Sequence, residues 1–397
     1  MSLTLILPAV AVIGMVRGAE VLCGIDVLER EGFAQLRGRK VALITNHTGR
    51  TRDGRFTSDV LASAPGMKLV CLFAPEHGLR GLVDEAVKDG KDEKTGLPAY
   101  SLYNPGQGPE RYRPKKEQLQ GVDTIVFDIQ DIGTRFYTYV GTLGYAMEAA
   151  ARDGIEVVVL DRPNPITAVE PEGPVADEQH LGLTAFHTIP LVHGMTAGEL
   201  ALLFNSERKI GARVTVVKCE GWRRSQWWDE TGLLWVNPSP NMRSPTEAHL
   251  YPGIGLVEAT NLSVGRGTDT PFELVGAPWL DGRKLAAALN AKNLDGVSVY
   301  PLEFTPNASK FANERCGGVG FLVKNRAQFD SVRFGCELAY ELHRLFPEWD
   351  ESKLVNLLQN TRTAESLLKG GYEAARRDWM PALQAFKAVR KVHLLYR

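Results

Sequence analysis

Four short runs of apolar, largely β-branched residues punctuate the first half of the chain: Val41-Ala-Leu-Ile-Thr45, Lys68-Leu-Val-Cys-Leu-Phe73, Thr124-Ile-Val-Phe-Asp128 and Glu156-Val-Val-Val-Leu160. Unbroken apolar runs of this length are the pattern of strands buried on both faces, as in parallel sheets. Between the third and fourth, Leu143–Asp153 is Ala-rich with helical spacing and halts at Gly154, where a crossover helix should stop. Strands alternating with helices predict an α/β fold, a Rossmann-like doubly wound parallel sheet. A helix over Thr196–Glu207 and a strand Arg213–Val217 extend it, and Gly221–Gly276, rich in Trp, Pro and Gly, reads as long ordered loops belonging to a site. This first domain is placed at 24–275. Residues 276–397 predict a smaller α+β domain, with a helix over Asp281–Asn290, strands near Val297–Tyr300 and Gly318–Val323, and helices over 327–345, 351–358 and 372–390.

Every strand exit is polar: Asn46-His47-Thr48-Gly49, Ala74-Pro75-Glu76-His77-Gly78, Asp128-Ile-Gln130-Asp131-Ile-Gly133-Thr134-Arg135 and Asp161-Arg162-Pro163-Asn164-Pro165. Ligands of open α/β sheets collect beyond the carboxyl ends of the strands, so these segments outline a functional cleft. The ligand expected there is a small molecule. With 46 basic against 47 acidic side chains the chain has no global field to attract a polyanion, which argues against nucleic acid. The five cysteines, Cys23, Cys71, Cys219, Cys316 and Cys336, are scattered without a C-x-x-C pair and read as small buried hydrophobes. His47, His77 and His193 lie on three loops without metal-ligand spacing, and Gly265-Arg-Gly267 lacks the strand-turn-helix setting of a dinucleotide site, so neither metal nor cofactor is expected. The apolar run Leu3–Val16 makes residues 1–19 a signal peptide, too short to span a bilayer stably. The expected location is periplasmic or extracellular, with the cytoplasm as the alternative. Oligomeric state has no signature.

Five segments in order, Phe73-Ala-Pro-Glu-His-Gly-Leu-Arg80, Phe127–Tyr139, Leu160–Pro165, Pro238-Ser-Pro-Asn-Met242 and Thr260–Thr268, resemble the NamZ-type exo-β-N-acetylmuramidases, formerly a domain of unknown function. The resemblance runs from Gly24 to Tyr396 and departs at Glu258-Ala-Thr-Asn261, where Glu-Gly-Thr-Asn would be usual. It implies a secreted glycoside hydrolase releasing terminal N-acetylmuramic acid from the non-reducing end of peptidoglycan fragments, with the second domain closing the cleft.

Glycosidic cleavage normally uses two carboxyl groups. Glu76, on the sharp exit of an apolar strand, is the first choice for general acid, with partial burial expected to raise its pKa; the alternative is an ion pair with Arg80. The second carboxylate is one of Asp128, Asp131, Glu258 and Glu273, with Glu258 favoured and the two aspartates equally suited to binding loop amides. N-acetylmuramic acid carries a lactyl carboxylate that an arginine fork would grip. Arg135, Arg162 and Arg266 are the candidates, and Arg266 is preferred because Gly265 and Gly267 would let the backbone approach a ligand; Arg162 could instead tie down its strand end through Asp161. Asn46, His77, Tyr137, Tyr139, Asn164, His193, Asn241, Asn261 and Glu273 complete the expected sugar contacts. The competing readings are a non-catalytic cell-wall sugar-binding protein and a metal-dependent hydrolase.

Overall fold

The computed structural model describes residues 20–76, 78–79, 89–104 and 106–397. His77, Arg80 and the segment 1–19 lie outside the described residues. In chain order the first unit contains α1 (Gly24–Arg30), β1 (Lys40–Thr45), α2 (Thr57–Ala62), β2 (Lys68–Ala74), β3 (Gly90–Lys91), β4 (Pro98–Ser101), β5 (Thr124–Asp128), α3 (Tyr139–Asp153), β6 (Glu156–Leu160), the hairpin strands β7 (Glu172–Val175) and β8 (Pro190–Val192), α4 (Ala197–Glu207) and β9 (Arg213–Val217). The four apolar runs are all strands of one sheet ordered β3-β4-β2-β1-β5-β6-β9, parallel except for β3. Strand order reverses between β1 and β5, the position at which doubly wound sheets bind ligands.

Both faces of this sheet are covered. Ala42, Ile44, Phe73, Phe127 and Val157 join the core with Leu143 and Met147 of α3 and Leu200 of α4. Val41, Leu43, Leu72, Val126 and Val158 pack instead with Ile25 and Leu28 of α1 and Val60 of α2. That two-sided burial is why the strands read as unbroken apolar runs, and each fully buried branched side chain contributes roughly 1.5–3 kcal/mol. Helix α3 starts earlier than its Ala-rich stretch suggests, and it stops as expected at Gly154, whose φ is 67°.

The second unit contains α5 (Pro245–Ile254), β10 (Leu274–Ala277), α6 (Gly282–Ala291), β11 (Val297–Phe304), β12 (Cys316–Val323), α7 (Ser331–Leu345), α8 (Val355–Leu358) and α9 (Thr361–Lys391). Its antiparallel sheet is ordered β10-β12-β11, with α6 packed on β11, β12 and α7. The boundary expected at 275/276 falls inside β10, which is bonded to β12, and the unit begins instead near α5, which packs on α7. Helix α5 occupies a stretch read as loops because Pro245 and Pro252 interrupt its periodicity; Ser244 Oγ caps it by accepting from Glu247 N at 3.1 Å. It crosses α7 at Gly253 and Gly335, where a Cβ on either glycine would collide with the other helix's backbone. Helix α9 starts before residue 372 and is kinked at Gly370 and Gly371. All five cysteines are free and buried. Among the described residues, no helix is long and apolar enough to cross a membrane.

Candidate active site

Glu76 follows Pro75 at the carboxyl end of β2 and is half-buried. Its Oε2 accepts a hydrogen bond from Thr138 Oγ1 at 3.0 Å, and Thr138 is the residue from which α3 springs. The neighbour of this carboxylate is therefore a hydroxyl at a helix start, not the apolar wall that the strand exit suggests. Burial, reinforced by the nearby Glu76 charge, holds the hydroxyls of Tyr103, Tyr139 and Tyr251 above the usual tyrosine range and so keeps them neutral donors. Tyr139 donates to the Pro238 carbonyl at 2.6 Å and lies beside Asn46. Tyr137 lies beside Ser239, in the turn where Asn241 is also buried.

A row of near-perpendicular rings leads away from Glu76. Centroids are 5.0 Å apart for Tyr139 and Tyr137, 5.9 Å for Tyr137 and Tyr251, and 4.7 Å for Tyr251 and Phe272. At its far end the Arg266 guanidinium carbon lies 5.8 Å from the Phe272 centroid. Arg266 Nε is 2.7 Å from Glu258 Oε1, and both side chains are partly exposed. Lys310, from the loop after β11, donates to the Glu258 carbonyl. Burial lowers the Lys310 ammonium pKa against the opposing effect of Glu258. Gly265 and Gly267 have φ of 81° and 83°. Their bare Cα atoms make room for protein: a Cβ on Gly265 would press on Leu274 and one on Gly267 on the Ala308 backbone. The close approach that favours glycine here is thus to neighbouring protein within the second unit, the Thr270 carbonyl and Leu274 for Gly265 and Ala308 for Gly267, which corrects the sequence argument for Arg266.

At the reversal point, Gln130 N donates to Thr48 Oγ1 at 3.0 Å and joins the exits of β5 and β1. Asp131 Oδ2 accepts from Gly133 N at 2.8 Å, with His193 Nε2 at 3.2 Å from the same oxygen. His193 Nδ1 accepts from Met195 N at 3.2 Å, which assigns the proton of a neutral ring to Nε2, facing Asp131. Gln130 Oε1 and Asp131 Oδ1 are buried without a hydrogen-bond partner among the described residues. Such acceptors call for a donor from ligand or solvent.

Asp128 has a different part. It is fully buried, its Oδ1 accepting from Arg162 Nε at 2.5 Å and its Oδ2 from Arg162 Nη2 at 3.0 Å and Thr57 Oγ1 at 2.5 Å. The geometry removes Asp128 from the catalytic set and Arg162 from the sugar-reading set, because each charge is committed to the other in a buried pair that supports the cleft floor. The expected tie to Asp161 is made by the backbone, Arg162 N donating to Asp161 Oδ1 at 3.1 Å, while the guanidinium goes to Asp128. Asp161 accepts from Thr196 Oγ1 at 2.7 Å, Gly198 N at 2.8 Å and the Tyr396 hydroxyl at 2.6 Å, and burial pushes it up to about 6.

Other expected contacts are drawn elsewhere. Arg135, 1% exposed, donates to the carbonyls of Pro174, Ile189, Leu357 and Leu358 and to Gln359 Oε1, clamping the first unit to the end of α8. Asn164 bonds the Met195 carbonyl and Ile166 N. Asn261 bonds the Glu348 carbonyl and Asp350 N. Glu273 lies against Ser244 at the start of α5; burial raises its pKa, and burial pushes its neighbour Glu247 up to about 7. Thr138, Tyr251 and Lys310 escape the sequence reading. A Thr ahead of an apolar helix is an N-terminal signal, whereas Tyr251 sits in the proline-broken α5 and Lys310 in a loop without a motif. Among the described residues, no group of three His, Cys, Asp or Glu side chains could hold a metal ion.

A doubly wound sheet that gathers Glu76, Asp131, neutral tyrosines and unpaired acceptors at its reversal point defines an α/β protein built to hold a small polar ligand. Family models for the N-terminal and C-terminal parts of exo-β-N-acetylmuramidase NamZ match residues 41–246 and 249–396. The chain belongs to this NamZ family and is an enzyme of the glycosidase class. The peptidoglycan β-N-acetylmuramidase NamZ of Bacillus subtilis is 40% identical over 396 residues, covering 95% of this chain and 92% of that protein. The DUF1343 family protein BF0371 of Bacteroides fragilis superposes with a TM-score of 0.87 at 34% identity, over 95% of this chain and 99% of that one. Its relative BF0379 from the same organism gives 0.76 at 28% identity, over 96% and 99%.

Proposed function

We propose that the enzyme releases the terminal β-linked N-acetylmuramic acid from the non-reducing ends of peptidoglycan fragments, with Glu76 as general acid and Glu258 as the second carboxylate. The observation that carries this reading is Tyr251: one buried hydroxyl feels the charges of Glu76, Glu258 and Arg266 together. In this reading the buried tyrosine row supports the site from beneath, and the terminal sugar has Glu76 at its glycosidic oxygen and Glu258 across the ring. The C1–oxygen bond breaks as the Glu76 proton passes to the leaving oxygen, the Glu258 carboxylate stabilises the positive charge developing at C1, and water gives its hydroxyl to C1 and its remaining proton to one of the two carboxylates, which restores the acid. Arg266 reads the lactyl carboxylate, while Asp131, held by Gly133 N, accepts from a sugar hydroxyl or amide. The apolar segment at 1–19 supports export to the compartment where peptidoglycan lies.

Turnover of a chromogenic N-acetylmuraminide tests the proposal. Release of the chromophore by the wild type and not by Glu76→Gln is the expected result. Binding of the sugar without turnover by the wild type would overturn it in favour of a sugar-binding protein.

A further inference from the structure

The small sheet buries Val275, Val297, Val299, Val319 and Phe321 against the helices, so the alternate residues of its strands face the other way. Those outward positions are Gly276, Gly318 and Gly320 on β10 and β12, opposite Tyr300, Leu302 and Phe304 on β11, with Tyr300 paired to Gly320 and Leu302 to Gly318. A Cβ on Gly320 would collide with the Tyr300 ring, and one on Gly276 or Gly318 with the Phe304 ring. The rings therefore lie directly over bare backbone. Tyr300 is nevertheless 49% exposed, and Leu322 on the same face is 56% exposed. An aromatic ring seated on backbone with its other side in water is a rigid stacking surface of the kind that meets the apolar C–H face of a pyranose.

Backbone hydrogen bonds tie this sheet to the loops of the candidate active site. Gly276 and Ser263 exchange two backbone hydrogen bonds of 2.9 and 3.0 Å just ahead of Arg266. The segment leaving Phe304 donates from Asn307 N to the Gly267 carbonyl at 2.8 Å and then delivers Lys310 to Glu258. The outward positions Ser298, Tyr300, Leu302, Phe304, Gly318, Gly320 and Leu322 carry no charge, and the nearby exposed Glu303 is paired with Arg315. A neutral saccharide suits such a face better than an anionic or peptidic group.

We infer that this face is a subsite for the glycan that continues beyond the terminal sugar on its reducing side, with Tyr300 as the principal stacking residue. The inference rests on the terminal sugar lying between Glu76 and Glu258. It is tested with full-length protein on two substrates, the chromogenic N-acetylmuraminide and a peptide-free tetrasaccharide of alternating N-acetylmuramic acid and N-acetylglucosamine. Tyr300→Ala should leave turnover of the first unchanged and raise KM for the second about three- to tenfold, and Tyr300→Trp should restore it. In the Glu76→Gln background, calorimetry should show the tetrasaccharide binding more tightly than the monosaccharide, an advantage that Tyr300→Ala abolishes. Equal KM and equal affinity in Tyr300→Ala and the parent protein would overturn the subsite, as would a dimer in sedimentation that Tyr300→Ala dissolves. Failure of the wild type to cleave either sugar would overturn the catalytic reading alone, leaving the calorimetry to judge the subsite.

Discussion

Glu76 and Thr138 are joined by a hydrogen bond of 3.0 Å that fixes a carboxylate at the exit of one strand to the first turn of the helix after another. Glu76→Gln keeps the shape of the side chain but has no acidic proton, and kcat should fall by about 10²–10⁴-fold with the thermal midpoint unchanged. Thr138→Val removes only the tether, and a loss of about tenfold is expected from one lost hydrogen bond that positions the carboxyl group. A Glu76→Gln variant with near wild-type kcat would take this residue out of the chemistry.

Arg266 and Glu258 hold each other at 2.7 Å, so deleting the arginine changes both the charge and the position of the glutamate. The ratio of kcat/KM between an N-acetylmuraminide and the matching N-acetylglucosaminide separates the two effects, because only the first sugar carries a carboxylate. In Arg266→Ala the ratio should fall by one to two decades, as a charge-assisted bond is worth about 1.5–3 kcal/mol. Arg266→Lys keeps the charge without the planar fork and should fall between. An unchanged ratio would assign recognition of the carboxylate to another residue.

Arg135→Leu takes the donor from the Pro174, Leu357 and Leu358 carbonyls and the Gln359 amide oxygen in the seam between the units, while the Ile189 carbonyl keeps Ala176 N. Each unsatisfied buried acceptor costs about 1–3 kcal/mol, and the loss should exceed about 3 kcal/mol in urea unfolding. The folded fraction should retain normal kcat, since the guanidinium is shut away from the cleft. A normal unfolding midpoint would contradict the clamp.

Glu247 titrates in the wrong direction for stability at high pH. Its pKa rises from 4.5 to about 7 because burial penalises the ionised form, with the Glu273 charge adding to the effect. With the folded value above the unfolded one, stability is complete below the unfolded pKa and is lost as pH rises through the folded one; the loss reaches about 3 kcal/mol at most. Glu247→Gln does not titrate, so its thermal midpoint should gain on the wild type between about pH 5 and about pH 8. A constant difference across that window would show that Glu247 keeps its charge when folded.

The strands are legible in the sequence because burial on both sides of a parallel sheet writes an unbroken apolar run, and their polar exits locate Asn46, Glu76 and Asp131. Which of the exit residues stay open to a ligand is not legible, since partners from distant segments decide it. Asp128 is neutralised by Arg162 of another strand exit, and Arg135 finds Gln359 at a separation of 224 residues. Helix α5 shows the limit of periodicity: Ser244-Pro-Thr-Glu247 carries the residue types of a helix start, while Pro252 and Gly253 erase the pattern that should follow. The unit boundary is hidden for a similar reason, as β10 is only four residues long and its partner β12 lies far along the chain.

Helices α5 and α7 touch backbone to backbone at Gly253 and Gly335, and the turn Gly255–Val257 carries α5 straight into Glu258. Glycosidases retain or invert the configuration at the anomeric carbon according to the gap between their two carboxyl groups, about 5 Å for retention and about 6.5–9.5 Å for inversion. In a reaction run by Glu76 and Glu258, that gap is measured between the large sheet and this glycine crossing. A side chain introduced at Gly335 would collide with the Gly253 backbone and part the helices, changing that gap from a position that no substrate atom touches.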